Sequence, residues 1–394
     1  MLGNFTYYCP TRMYFGDKAQ EQLPNAMKDY GKNVLMVYGG GSIKRNGIYD
    51  DVMNGLQSSG KTVIELPGVM SNPTLEKLNE GIRVAQENAI DVILAVGGGS
   101  IIDYSKALSV AAGYAGNAWK HFFLDQADVE ESQNVIPVGA VLTMAGTGSE
   151  TNGTAVITDP AVPIKMGKMF GARVAPRFAI MNPRYTFSVS RAQMAAGIFD
   201  TMSHVMEQYF SGDNDCTTDY LAEGLMRNIV ESGRKAAKNP EDYEARSNLM
   251  WDATWALNPL LGVGKTADWM AHMLSHAVGA FSHATHGMIL SATAVPYYQY
   301  ILPYGLKRFA RFARVVWNVD ARGKMEEDVA RAGLEALHQW ILDIGAETSL
   351  AKQGVTEDML DGIVSLTLSS MNVKPQGYKL LDRDEIKAIL QKSM

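Results

Sequence analysis

Cysteine is nearly absent: Cys9 and Cys216 are the only two in 394 residues, far apart and without the spacing of a paired-thiol site. Neither a disulfide framework nor a thiolate metal site is supported, so any bound metal is expected to use nitrogen and oxygen donors. No run of Lys or Arg is long enough to track a phosphate backbone, and the net charge is −6, so nucleic acid is not an expected partner. Nowhere do roughly 18 apolar residues follow one another. The opening Met1-Leu2-Gly3-Asn4-Phe5-Thr6 lacks the charged-then-apolar order of a signal peptide, which makes a cytoplasmic protein without a membrane partner the expectation. Internal repeats, low-complexity segments and long linkers are missing as well.

What remains is an ordinary globular composition, with 46% hydrophobic and 20% charged residues. The chain is longer than one core usually serves, and two domains are expected. Up to about residue 187, short β-branched runs alternate with amphipathic stretches, the pattern of an α/β domain with a helix-covered parallel sheet. The expected strands are Asn33 to Tyr38, Thr62 to Leu66, Asp91 to Val96, Val135 to Leu142 and Phe178 to Met181. Two further pieces, Thr154 to Asp159 and Ile164 to Met169, flank Pro160 and Pro163 and read as a hairpin attached to the sheet. Beyond Ser190 the pattern is helical to the end. The expected organisation is therefore a parallel-sheet α/β domain over 1–187 and an all-helical domain over 188–394.

Glycines follow two of the strands directly, at Gly39-Gly40-Gly41-Ser42 and Gly97-Gly98-Gly99-Ser100. At the carboxyl end of a parallel strand, such a turn aims main-chain amides and a helix N-terminus at a phosphate; a tight connection without a ligand is the plain alternative. No acidic residue stands at the end of the first loop's strand, where a carboxylate would bind adenine ribose hydroxyls and repel a 2′-phosphate. The loop is followed by Lys44 and Arg45, so NADP(H) is the expected cofactor, with a solvated surface pair the competing reading of those two cations. Thr143 to Glu150 is a third small-residue segment; its spacing alone reads as a loop or helix N-cap, while its hydroxyls suit phosphate or nicotinamide ribose and Lys165 on the hairpin could add a charge-assisted bond.

Seven histidines occur in the chain, and four fall between His272 and His286. Asp200 and His204 stand four apart in a helical stretch, on one face about a turn apart, and His272 and His276 repeat the spacing. His286 follows just before the next helix. One carboxylate with three imidazoles suits Fe(II), Zn(II) or another divalent first-row metal. The segment His272-Met273-Leu274-Ser275-His276 lacks the glutamate of a zinc-protease helix, which argues against peptide hydrolysis. His283 reads as surface or as a neighbour of the site, and His121 and His338 as structural.

Taken together, GGGS at 97–100 with Asp103 and Lys106, GTGSE at 146–150, Asp200 with His204, then His272, His276 and His286-Gly287 resemble the iron-containing (group III) alcohol dehydrogenase family. The chain is most similar to that family's NADPH-dependent butanol dehydrogenases and aldehyde reductases. The resemblance implies a dinucleotide-binding α/β domain (1–187) followed by an all-helical metal-binding domain (188–394) with the active site in the cleft between them, metal ligation by Asp200, His204, His272 and His286, and a proton-relay or substrate-contacting role for His276. It further implies that Gly97, Gly98, Gly99 and Ser100 hold the pyrophosphate and that Asp103, Thr143, Thr147 and Lys165 line the nicotinamide side. Gly40, Gly41 and Ser42 match the loop that accepts a 2′-phosphate, and a homodimer is implied, built through the N-terminal strand around Tyr7 and Tyr14. Two departures stand out: Asn182 precedes Pro183 where many members have aspartate, and Ser105 precedes Lys106 where alanine is common. The expected activity is reduction of short-chain aldehydes to primary alcohols. A polyol dehydrogenase, a cyclising lyase of the wider superfamily and a non-catalytic nucleotide-binding protein are the alternatives.

Overall fold

The computed structural model describes residues 3–162, 164–212, 216–282, 284–370 and 377–394. The chain divides into two compact units, Tyr8–Ser188 and Val189–Met394, the latter joined by the N-terminal residues to Tyr7. That N-terminal piece is tied down by hydrogen bonds from Gly3 N to Gly264 O (2.7 Å) and from the Tyr7 hydroxyl to Asn258 Oδ1 (2.7 Å).

In the first unit the strands are β1 (Arg12–Phe15), β2 (Asn33–Tyr38), β3 (Thr62–Leu66), β4 (Val92–Gly97), β5 (Val138–Leu142), β6 (Thr154–Asp159), β7 (Ile164–Met169) and β8 (Phe178–Met181). The helices are α1 (Leu23–Met27), α2 (Ser42–Arg45), α3 (Ile48–Ser58), α4 (Leu75–Glu87) and α5 (Gly99–Ala111). Six strands form one all-parallel sheet in the order β1-β8-β5-β4-β2-β3. β2 and β4 are continuous apolar runs buried on both faces, which is what a parallel sheet covered by helices requires. Val34, Met36, Leu94 and Val96 on one face pack in a single cluster with Leu23 and Met27 of α1 and Val52 and Leu56 of α3.

Strand order reverses between β2 and β4: from β2 the chain moves outward to β3, and from β4 it moves the other way to β5 and β8. Ligands of open α/β sheets bind beyond the carboxyl ends of the strands at such a reversal. Both glycine loops, at 39–42 and at 97–100, lie there.

Beyond a one-residue shift of β4, which runs Val92–Gly97 rather than Asp91 to Val96, three details differ from the sequence expectation. The fourth strand starts at Val138 rather than Val135, because Pro137 has no N–H for the ladder and contributes only its carbonyl, which accepts from Ile93 N at 2.9 Å. β6 and β7 form a separate two-stranded antiparallel sheet rather than an extension of the main one, and β6 packs on α5; Pro163 lies outside the described residues. The N-terminal strand contains Tyr14 but not Tyr7, with Pro10 intervening, and β1 is an edge of the six-stranded sheet.

The regular structure of the second unit is helical among its described residues: α6 (Arg191–Tyr209), α7 (Thr217–Lys238), α8 (Tyr243–Leu257), α9 (Met270–Phe281), α10 (His286–Ile301), α11 (Leu306–Val315), α12 (Glu326–Asp343), α13 (Leu360–Ser370) and α14 (Arg383–Lys392), with short 3-10 turns and irregular loops between. Ser190 caps α6, its hydroxyl accepting from Gln193 N, and the helix is buried from Met194 to Tyr209. α7, α8, α9 and α10 all pack on it. Among the described residues no helix is long and apolar enough to cross a membrane.

Candidate metal centre and dinucleotide loops

α6 presents Asp200, His204 and Glu207 at i, i+4 and i+7, a single stripe of the helix. α9 brings His272 and His276, and His286 is the first residue of α10 rather than the residue before it. His286 reaches α6 because glycine follows it. A side-chain carbon at Gly287 would stand 2.1 Å from the Ala196 carbonyl oxygen, so only glycine allows the first turn of α10 to close on α6 there.

Three imidazole nitrogens converge on one carboxylate oxygen. Asp200 Oδ1 lies 3.7 Å from His204 Nε2, 3.6 Å from His272 Nε2 and 3.6 Å from His286 Nε2. Among the described residues, Asp200, His204 and His272 form the group whose donor atoms all lie within 4.8 Å of one another. Bonds of about 2.0–2.2 Å to one shared ion would leave tetrahedral donors roughly 3.4 Å apart, close to these separations. Asp200 Oδ1 and His272 Nε2 are buried with no hydrogen-bond partner, which for such strongly polar atoms points to a ligand other than a protein group. Burial alone would raise the Asp200 carboxyl, but His204, His272 and His286 outweigh it and hold the group well below the usual carboxylate range.

The atoms behind the donors are equally ordered. Glu207 is fully buried; its Oε1 accepts the main-chain N–H of His272 at 3.1 Å and its Oε2 meets His272 Nδ1. Ser275 Oγ lies 2.7 Å from His286 Nδ1. Each of these rings thus has one nitrogen fixed by the protein and the other turned toward Asp200, the usual arrangement of metal-binding histidine. Burial would lower the His272 imidazole, yet Glu207 and Asp200 together push it up to about 10. Two buried carboxylates around this ring call for a positive charge, and a divalent cation fits that demand. Trp269, in the left-handed region at φ 57° just before α9, sets its ring edge-on to His272 at 5.5 Å. His276 is half-buried, its ring 5.5 Å from that of His286 and 6.5 Å from that of His272. His283 lies outside the described residues, and His121 stacks on Tyr114 at 4.6 Å, a packing role.

In the α/β unit, Gly97 ends β4, Gly98 precedes α5 and Gly99 begins it, so the first amides of α5 open at the strand-order reversal. Gly99 lies against the third loop: a side-chain carbon there would be 2.3 Å from Thr147 Oγ1. Thr143 N donates to Gly97 O at 3.0 Å, so the 97–100 and 143–147 segments form one surface. The hydroxyl of Ser100 is bonded to Ser71 O. Asp103 is engaged internally, accepting from Ser149 Oγ and from Val156 N (3.2 Å), with the fully buried Lys106 ammonium 3.3 Å away. Lys106 in turn donates to Ser149 O and Asn152 O, which pins the 146–152 loop. Lys165 Nζ donates to Asn72 Oδ1 at 3.1 Å. Gly40 and Ser42 are exposed, and Gly41 adopts φ +90° ahead of α2.

A model described as iron-containing alcohol dehydrogenase matches residues 10–183, and one for the C-terminal part of the same family matches residues 194–394. The chain belongs to the iron-containing alcohol dehydrogenase family. A probable NADH-dependent butanol dehydrogenase of Bacillus subtilis is 37% identical over the whole of both chains. The NADPH-dependent aldehyde reductase YqhD of Escherichia coli is 35% identical over 90% of each. The crystal structure of an NADH-dependent butanol dehydrogenase from Thermotoga maritima superposes with a TM-score of 0.93 at 33% identity, covering 100% of this chain and 99% of that one. As a family member the chain is an alcohol or aldehyde oxidoreductase.

Two departures from the family pattern have local reasons. The Asn182 amide donates to Asp17 O (3.1 Å) and to Gln20 Oε1 (2.8 Å), bonds an aspartate could not make. The Ser105 hydroxyl returns to Ile101 O on its own helix. Sequence reasoning overlooked Glu207, although its place three residues after His204 was a visible signal. It overlooked Ser275, which carries none, and Glu65, an acidic residue on the strand beside the first glycine loop.

Proposed function

We propose that the chain is a metal-dependent alcohol dehydrogenase working as an NADP(H)-linked reductase of short-chain aldehydes. The observation that carries this reading is the convergence of three imidazole nitrogens on the buried Oδ1 of Asp200 at 3.6–3.7 Å. Asp200, His204, His272 and His286 would hold Fe(II) or Zn(II). A cation bound there supplies Lewis acidity, polarising a carbonyl oxygen as negative charge develops on it. Glu207, with the proton on His272 Nδ1, keeps Nε2 free to ligate and raises its basicity. Ser275 orients His286 in the same way. Reduction delivers a hydride to the carbonyl carbon and a proton to its oxygen; His276, next to His286, is the side chain assigned to relay that proton. The α5 amides at Gly99 and Ser100 hold the pyrophosphate, with Gly97 and Gly98 letting it approach. Thr143, Thr147 and Lys165 serve the nicotinamide half, and Asp103 serves it by bracing Ser149.

For the adenosine end, Gly40, Gly41 and Ser42 leave a 2′-phosphate room. A second reading, NADH, is favoured by one observation: Glu65 engages Lys44 beside that loop. Metal-stripped protein is reconstituted with Fe(II) or Zn(II) and supplied with butanal, and oxidation of NADPH and of NADH is followed in parallel. Turnover that requires metal and is faster with NADPH is the expected result. A folded, metal-loaded enzyme that turns over neither cofactor would overturn the aldehyde-reductase reading and redirect the search to polyols.

A further inference from the structure

Glu65 stands near the end of β3, the edge strand next to β2, in register with Met36. In a parallel ladder, paired residues point to the same face, so Glu65 shares a face with Met36 and Tyr38. Its carboxylate gathers three donors: the Tyr38 hydroxyl at 2.5 Å, the Tyr49 hydroxyl at 2.8 Å and Lys44 Nζ at 3.3 Å. The Lys44 ammonium is held from two further sides, 4.5 Å from the ring centre of Tyr49 and 5.2 Å from that of Tyr38. Burial alone would raise the Glu65 carboxyl, but these three donors keep it below its usual range and hence ionised. Beside Tyr38 and Glu65, the Lys44 ammonium is held above the usual lysine range.

Lys44 belongs to α2, which starts directly after Gly39-Gly40-Gly41. At this end of the strand-order reversal a free ammonium would form a charge-assisted bond to a ribose 2′-phosphate. An ammonium paired with a carboxylate offers no net charge, and the carboxylate itself repels a phosphate dianion.

We propose that Glu65 sets the balance between NADH and NADPH, by engaging Lys44 and placing a fixed negative charge beside the adenosine ribose. The proposal rests on the reading of the 39–42 loop as the adenosine subsite. Both side chains are partly exposed, 34% for Glu65 and 47% for Lys44, so solvent screens the effect and it is modest in size. The competing role is a surface ion pair that only braces α2 on the sheet edge. Such a pair would affect stability without sensing the 2′ substituent.

Two nucleotides that differ only by a 2′-phosphate, 5′-AMP and adenosine 2′,5′-bisphosphate, are titrated by calorimetry into the full-length wild type, E65Q, E65D and the K44M/E65Q double variant. In E65Q, about a fivefold gain for the bisphosphate is expected with 5′-AMP changed less than about twofold, because one screened charge is removed next to one phosphate. E65D keeps the charge and the wild-type ratio, and K44M/E65Q loses the gain. A matching fall in the KM for NADPH relative to NADH would accompany the E65Q shift. An unchanged ratio in E65Q, with 5′-AMP still bound, would overturn the role of Glu65 alone. Failure of wild type to bind either nucleotide would overturn the adenosine subsite and the proposal together. The 5′-AMP titration also reports whether each variant is folded at the site.

Discussion

The α/β unit and the helical unit of this chain hold their candidate chemistry in different ways. Around β2 and β4 the groups open to a candidate ligand are mainly main-chain amides, set out by glycines at the carboxyl ends of the strands and by the first turn of α5. Around α6, α9 and α10 they are side-chain atoms, most of them buried: Asp200 is 5% exposed, His204 4% and Glu207 0%. A site made of backbone tolerates many side-chain changes nearby but no added carbon where the ligand lies. A site made of buried charges depends on every partner, because an ionised group left without one is costly in a medium that water does not reach.

The sharpest way to break the comparison is at its most connected atom. Asp200→Asn removes the charge on which His204, His272 and His286 converge. Loss of metal should cost several kcal/mol of transition-state stabilisation, which corresponds to a fall in aldehyde reduction of about 10³-fold. Elemental analysis of the desalted variant should find little bound metal, while nucleotide binding in the α/β unit stays intact. Retention of stoichiometric metal would show that Asp200 is not a ligand.

A smaller effect is expected one step back. Glu207→Gln keeps shape and burial but weakens the hold on His272 Nδ1, and metal affinity should fall by roughly 10–100-fold in competition with a chelator. Excess metal should restore much of the activity, whereas a catalytic defect would persist at saturation. If the affinity is unchanged, the row of residues behind the metal ligands contributes packing only.

The same contrast governs what could be read from the chain. The glycine loops stood out as candidates because two strand ends in one sheet carry the same Gly-Gly-Gly-Ser run. The candidate metal set could be gathered from the chain because Asp200 and His204 share a helix face, and His272 and His286 crowd into one short segment. Ser275 could not be, since a serine carries no sign that a ring nitrogen from the next helix will reach it. Glu65 escaped for a different reason: only the pairing of β3 with β2 sets it beside Lys44, and pairing is a tertiary fact. The start of β5 was misplaced because the apolar run around Pro137 masked its missing donor, and the β6–β7 pair because alternation reveals a strand but not the sheet it joins.

The smallest expected effect tests the backbone side. At Gly40 an added carbon would meet no described atom within 4 Å, and the backbone there lies outside the left-handed region. Gly40→Ala should therefore leave the fold as stable as before, or more so by about 0.5 kcal/mol, because alanine restricts the unfolded chain. The carbon would instead project where the loop is expected to meet the adenosine ribose, and a weakening of NAD(P)H binding by about tenfold, near 1.4 kcal/mol, should follow. Gly99→Ala is the contrasting case, since its new carbon would lie 2.3 Å from Thr147 Oγ1 and must disturb the protein itself. Thermal melts and nucleotide titrations of the two variants separate the effects: affinity should fall without loss of stability in the first, and stability should fall in the second. Unchanged affinity in Gly40→Ala would mean that the first loop does not receive the cofactor. The backbone half of the comparison would then rest on the 97–100 loop alone.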